Sequence, residues 1–230
     1  MKYMIHSCND RQWYVDEFLV PELLNQGIQP ADIFIYQDKD CDGNLRSFYK
    51  SCKAVYDKWG ADEKVCHIQD DVYPASYFRE EAEYYAGLDK YILICGFTTF
   101  YPEIKEPGEG ILCTDLWFSF PCIIYSNKLA IEFYEWCNEY LWGKNMFKTW
   151  IARNKGDDYI FQCFLLNNYQ ESLIYNVAPN LVEHVDFLLG GSVVNKQRKK
   201  TNVRSKYWKE EEDEAIKELE IRIKERNGGC

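Results

Sequence analysis

Residues 64–71 read Lys64-Val65-Cys66-His67-Ile68-Gln69-Asp70-Asp71, and the choice of fold depends on them. Lys64–Ile68 is an apolar run of strand length that leads through Gln69 into two adjacent acids. A strand that is apolar along its length is buried on both faces, the habit of a parallel sheet under helices. Neighbouring carboxylates repel each other, so this pair would destabilise a turn with only a structural task.

Strand-like and helix-like segments alternate on both sides of this stretch. Before it come a short apolar run, Lys2–His6, and a helix-like stretch, Asp10–Asn25, whose apolar face is Trp13, Val15, Phe18, Leu19 and Leu23. Gly27 and Pro30 break the chain. Ala31–Tyr36 then reads as a buried strand, Gln37–Gly43 as an acidic loop and Leu45–Trp59 as a second helix. After it, Pro74–Gly87 reads as a helix, Tyr91–Phe97 as a fourth strand, Gly108–Cys113 as loop and Thr114–Ser126 as strand-rich. Leu129–Trp142 is an aromatic amphipathic helix, and Asp157–Asn168 a helix that opens with two acids. Ser172–Val177 is a strand, and Pro179–Asn195 is mostly loop. One last helix carries Ala215, Ile216, Leu219 and Ile223 as a narrow stripe.

This spacing predicts an α/β fold with a mostly parallel, Rossmann-like central sheet, helices on both faces and an added C-terminal helix. Residues 1–195 form the expected body, and 196–230 a basic segment with a charged helix. Such sheets bind ligands beyond the carboxyl ends of their strands. The acids at 38–42 and 70–71 fall there.

The chain has 230 residues, 47% apolar and 28% charged, a composition expected of an ordinary soluble globular protein. No apolar run approaches the roughly 18 residues of a membrane-spanning helix. MKYMIHSCND is too short and too polar for a signal peptide. Ten cysteines are scattered without a CxxC pair, which argues against a zinc knuckle. Reduced thiols and a cytoplasmic setting are expected, the host cytoplasm if the chain is phage-encoded. Scarce alanine with abundant Tyr and Asn suits a phage or low-GC bacterial protein.

The net charge of −10 is unevenly placed. Residues 1–195 carry 16 Lys and Arg against 29 Asp and Glu, whereas 196–209 carry seven cations and no acid. An acidic body disfavours broad, sequence-blind polyanion binding. The basic segment could still hold a diphosphate.

Five places could carry chemistry. Asp70-Asp71 reads either as a solvated turn before Pro74 or as oxygen ligands for Mg²⁺ or Mn²⁺. His184, in Pro179–Asp186, is either a hydrogen-bonded loop residue or a nitrogen ligand to the same cation. Gly190-Gly191-Ser192 after it could bring backbone N–H groups to phosphate. Asp157-Asp158 after Gly156 is either a helix cap or a carboxylate base. Lys196–Lys209 is either a solvated linker or the source of Lys199, Lys200 or Arg204 over a diphosphate. Trp117, Phe118 and Phe120 are either core or an acceptor platform.

In this order the pieces resemble a small glycosyltransferase of the GT-A fold, metal-dependent and of bacterial or phage type. The resemblance covers roughly residues 1–195 and rests on three motifs. Gln69-Asp70-Asp71 is similar to the DXD or EDD signature, Gly156-Asp157-Asp158 to xED, and the Pro179–Ser192 loop to the one carrying a metal-binding His. It implies a nucleotide-diphosphate sugar donor. Asp71, Asp70 and His184 would hold Mn²⁺ or Mg²⁺, with Asp70 also near the ribose or a metal-bound water. Asp158, or Asp157 beside it, would deprotonate the acceptor. His6, Ser7, Arg11 and Asp38 would line the nucleotide pocket. The acceptor would be a glycan, a lipid-linked saccharide or a modified nucleobase. Gln69 stands where the signature has an acid, and Asp157 where xED has Glu.

Two other classes compete. A sugar nucleotidyltransferase would share the sheet and the acids. It needs a Gly-rich basic loop after the first strand, where this chain has His6-Ser7-Cys8-Asn9-Asp10-Arg11. A non-catalytic nucleotide-sugar-binding or interaction protein would use the 17% aromatic content and the charged helix as an interface.

Overall fold

The computed structural model describes residues 1–40, 42–97, 110–112, 120–143, 156–191 and 208–228. Nine strands are found among them: β1 (Lys2–Cys8), β2 (Ile33–Asp38), β3 (Lys64–Gln69), β4 (Val72–Pro74), β5 (Tyr91–Cys95), β6 (Gly110–Leu112), β7 (Cys122–Ser126), β8 (Leu173–Asn176) and β9 (Val182–His184). Seven form one sheet in the order β2-β1-β3-β7-β5-β8-β6, and β4 pairs with β9 apart from it. β1, β2, β3, β5 and β8 run one way, and β7 and β6 run against them. The sheet is therefore mostly parallel, as the alternation of segments implies.

Side chains alternate across the strands and divide the core in two. Tyr3, Ile5, Cys66, Ile68, Cys122 and Ile124 face one apolar cluster, while Met4, Val65, Ile123 and Tyr125 face the other. The first face is covered by a helical run containing α1 (Gln12–Tyr14) and α2 (Val20–Asn25), by α4 (Phe78–Ala86) and by α7 (Asp213–Arg226). The second is covered by α3 (Asn44–Trp59), α5 (Asn127–Trp136) and α6 (Asp157–Asn168). Each fully buried Leu, Ile or Phe in these layers contributes about 1.5–3 kcal/mol. At the centre of the second layer Phe48 packs on Phe120, Phe133 and Phe161 and stacks on His67 at 5.0 Å. Burial, then His6, keeps His67 neutral.

The C-terminal stripe Ile216, Leu219 and Ile223 packs into the same core as α1 and α2. Glu212 fixes its start by accepting from the backbone N–H and the hydroxyl of Ser76, at 2.9 and 2.6 Å. Between α1 and α2 the helix widens into a π turn, Val15–Leu19. A proline ring collides with the carbonyl four residues back in a regular α-helix, and the wider turn gives Pro21 room.

Two details differ from expectation. Gly110–Leu112, expected as loop, is an edge strand against β8. Within the expected Pro179–Asn195 loop, β9 pairs antiparallel with β4, placing His184 opposite Val72. Among the described residues Cys8, Cys52, Cys66, Cys95, Cys122, Cys137 and Cys163 are free thiols. No helix among those residues is long and apolar enough to cross a membrane.

Candidate functional site

The sheet reverses its winding at β1, with β2 on one side and β3 on the other. In open α/β sheets the crevice at such a reversal, outside the carboxyl ends of the strands, is where ligands bind. A cavity of about 260 Å³ lies there, lined by the 6–11 loop, Asp38, the start of α3 and residues 69–71. Gly43 caps α3 at φ +82°, and the first turn of that helix holds no acid. A helix start without an acid suits an anion.

The acid pair forms one wall. Asp70 Oδ2 accepts from the Cys8 amide at 2.7 Å. Arg11 Nη1 donates to Asp71 Oδ2 at 2.7 Å and to Asp70 Oδ1 at 3.3 Å, and its Nη2 donates to the Gly191 carbonyl at 2.9 Å. The β4–β9 pairing continues as Val185 N–H donating to the Asp71 carbonyl at 2.7 Å. It carries His184 Nε2 to 3.2 Å from Asp71 Oδ2, with Asp186 Oδ1 3.2 Å from the other ring nitrogen.

These contacts set the charges. Burial pushes the Asp71 carboxyl up, but His184 and Arg11 outweigh it and hold the group well below the ordinary range. Burial also works against protonation of His184, yet Asp71 and Asp186 raise it to about 10, so the ring is cationic at neutral pH. Asp70 is raised by burial and by Asp71, against the pull of Arg11 and the Cys8 amide. His6 is lowered by burial to about 4 despite Asp38 and Asp71, and its neutral ring is hydrogen-bonded to Ser47 Oγ at 2.5 Å. Burial, then Asp70, pushes the Cys8 thiol up to about 12, so the cavity offers no thiolate.

The expected nucleotide residues His6, Ser7, Arg11, Asp38 and Asp70 line this one cavity together with Asp71, and His184 reaches Asp71 from a strand far away in sequence. Asp157 and Asp158 are not among the lining residues; they open α6. Asp157 is 4% exposed, and its Oδ2 is buried with no partner among the described residues. Burial, then the adjacent Asp158, raises its carboxyl to about 7. Asp71 adds to that shift through its field. Asp158 Oδ1 accepts from the Tyr159 amide at 2.7 Å. Lys199, Lys200, Arg204, Trp117, Phe118 and Ser192 lie outside the described residues, and Phe120 is core. Ser47, the Cys8 amide, the Gly191 carbonyl and Asp186 were not anticipated as parts of the site. Two of them had a local signal: Asp186, two residues beyond His184, and Gly191, in the Gly190-Gly191-Ser192 turn.

The donor types of Asp70, Asp71 and His184 suit a hard divalent cation. Their arrangement does not. Arg11 and His184 both point at Asp71 Oδ2, and Arg11 spans the two carboxylates. Among the described residues no three His, Cys, Asp or Glu side chains converge on a common point. In this arrangement the positive charge between the carboxylates belongs to the chain itself. Asp71 Oδ1 remains buried and unpartnered.

No protein-family model and no curated protein sequence matches the chain. Among solved structures it is similar to A197 from STIV, at 13% identity over 80% of this chain and 85% of that one, with a TM-score of 0.44. It is also similar to a glycosyltransferase involved in the glycosylation of the major capsid of PBCV-1, at 8% identity over 81% and 82%, with a TM-score of 0.43. A third is the inositol-1-phosphate CTP transferase from T. maritima, at 12% identity over 96% and 76%, with a TM-score of 0.43. At these values the likenesses carry no weight in assigning the chemistry, which rests on the site.

Proposed function

We propose that the chain transfers a sugar from a nucleoside-diphosphate sugar to an acceptor hydroxyl. The observation that supports this most is the meeting of Asp70, Asp71 and Arg11 in the lining of the cavity at the β1/β3 reversal, with His184 3.2 Å from Asp71. Asp38, at the end of β2, lines the cavity and is assigned to the ribose or base. The start of α3 and Arg11, which line the same cavity, are assigned to the diphosphate. Lys199, Lys200 or Arg204 is assigned to close over the leaving group, as its place in the sequence suggests.

In the transfer the acceptor oxygen bonds to the anomeric carbon. The bond from that carbon to the diphosphate oxygen breaks, and its electron pair leaves with the nucleoside diphosphate. The hydroxyl proton passes to a carboxylate of the Asp157–Asp158 pair. Asp157 suits this task because a base is most effective when its pKa lies near the working pH, and its carboxyl is raised to about 7. Fixed positive charge beside the diphosphate stabilises the departing anion, more strongly where water is excluded. A glycan or lipid-linked saccharide is the favoured acceptor, because the acidic body repels polyanions.

The test is a thermal-shift screen of nucleotide sugars, followed by donor hydrolysis with Mn²⁺ and with chelator. A donor that binds the folded state raises the melting temperature by mass action. One nucleotide sugar is expected to stand out and to be hydrolysed or transferred. No shift with any donor at millimolar concentration would refute the reading. Pyrophosphate release from a nucleoside triphosphate would replace it with nucleotidyl transfer.

A further inference from the structure

The geometry points to Arg11 as the cation this site carries in its own chain: its guanidinium stands where an ion bridging Asp70 and Asp71 would sit, so a divalent cation enters the ligand-free site only by displacing it. The inference concerns the site of the proposed transfer but needs only its geometry, and it stands or falls whether or not a sugar is moved.

Arg11 is 4% exposed. Its Nη1 lies 2.7 Å from Asp71 Oδ2 and 3.3 Å from Asp70 Oδ1, and its Nη2 donates to the Gly191 carbonyl at 2.9 Å. One side chain thus ties together the loop after β1, the end of β3 and the turn after β9. Arginine suits this work because it stays charged and its planar fork can serve several acceptors at once. His184 brings a second donor to the same Asp71 oxygen at 3.2 Å. A divalent ion on that oxygen would lie against the guanidinium, and that repulsion would offset its attraction to the acids.

Not every donor of the guanidinium is used. Arg11 Nε is buried with no partner among the described residues. The acids hold the guanidinium in place, and the guanidinium keeps the acids from presenting two bare charges to a phosphate.

Mn²⁺ alone is the probe. It is titrated against the ligand-free full chain, Arg11→Lys and Arg11→Gln, and uptake is read from the loss of the free-ion paramagnetic signal. The wild type and Arg11→Lys are expected to take up no ion below about 1 mM, whereas Arg11→Gln binds one ion at least roughly tenfold more tightly and gains melting temperature with added Mn²⁺. Tight uptake by the wild type, equal affinities in wild type and Arg11→Gln, or Arg11→Lys behaving like Arg11→Gln would overturn the inference. Should Arg11→Gln not fold, the wild-type titration decides: one ion bound at micromolar concentration overturns it, and no uptake below about 1 mM sustains it.

Discussion

The chain contains two Asp-Asp pairs that matter, and their surroundings give them opposite chemistry. Asp70-Asp71 ends a strand and faces two cationic side chains, so Asp71 is held ionised well below its ordinary pKa. Asp157-Asp158 opens a helix, and burial together with the neighbouring charge raises Asp157 to about 7. The first pair is an anchor that must keep its charge, and the second is a group able to accept a proton near neutrality. The difference lies in what is folded against each pair.

Breaking the first pair should have the largest effect. In Asp71→Asn, Arg11 and His184 lose a charged partner they are buried against, at a cost of about 3–5 kcal/mol. Urea unfolding should show this destabilisation, and donor binding should be lost with it. The depressed pKa gives a second signature. Stability due to Asp71 is present above the ordinary carboxylate pKa of 3.8 and is lost as pH falls through the lower folded value.

Asp157→Asn should act in the opposite sense on stability and strongly on rate. Transfer should fall by roughly 10²–10⁴-fold, the usual contribution of a general base, while donor binding persists. The folded carboxyl is raised from 3.8 to about 7, so its stabilising contribution is complete below pH 3.8 and is lost as pH rises through 7. The variant should therefore gain stability relative to the wild type as pH rises from about 3.8 to about 7, with no further change above that, measured as the difference in urea midpoints. Wild-type transfer should rise through an apparent pKa near 7 as Asp157 loses its proton.

Gly156→Ala sharpens the contrast with a smaller change. A Cβ there would lie 2.5 Å from Asp158 Oδ1, forcing that carboxylate to rotate. Transfer should drop by about tenfold, since small misplacements at a reacting centre are costly. Donor affinity, set by the other pair, should stay the same by calorimetry. The smallest effect is expected from Asp186→Asn. It removes the carboxylate 3.2 Å from His184 Nδ1, one cause of the rise of that ring to about 10. Donor affinity should weaken by about fivefold, the equivalent of roughly 1 kcal/mol for one charged contact.

Much of the fold was legible in the sequence because Val65, Cys66 and Ile68 belong to an apolar strand and Phe48, Cys52 and Val55 to one helix face. Periodicity reports burial directly. The place of Asp70-Asp71 was legible because an apolar run ended in acids. β1 and β2 continue to Cys8 and Asp38, past their apolar runs, because the polar last residues face the cavity rather than the core. Three-residue strands such as β4, β6 and β9 offer no period to count, so Gly110–Leu112 was read as loop. The meeting of His184 with Asp71 came from the order of motifs in the resemblance and from no local pattern. The clamp of Arg11 on residues 60 positions away in sequence and on Gly191 left no local trace, because tertiary ion pairs have no spacing rule.

The most direct test is a calorimetric titration of one nucleotide sugar into the wild type, Asp71→Asn and Asp157→Asn, each checked for folding. Binding should be present in the wild type and in Asp157→Asn, absent in Asp71→Asn, and followed by transfer in the wild type alone. Binding that survives in Asp71→Asn and disappears in Asp157→Asn would contradict the assignment of the cavity at the end of β3 as the donor site.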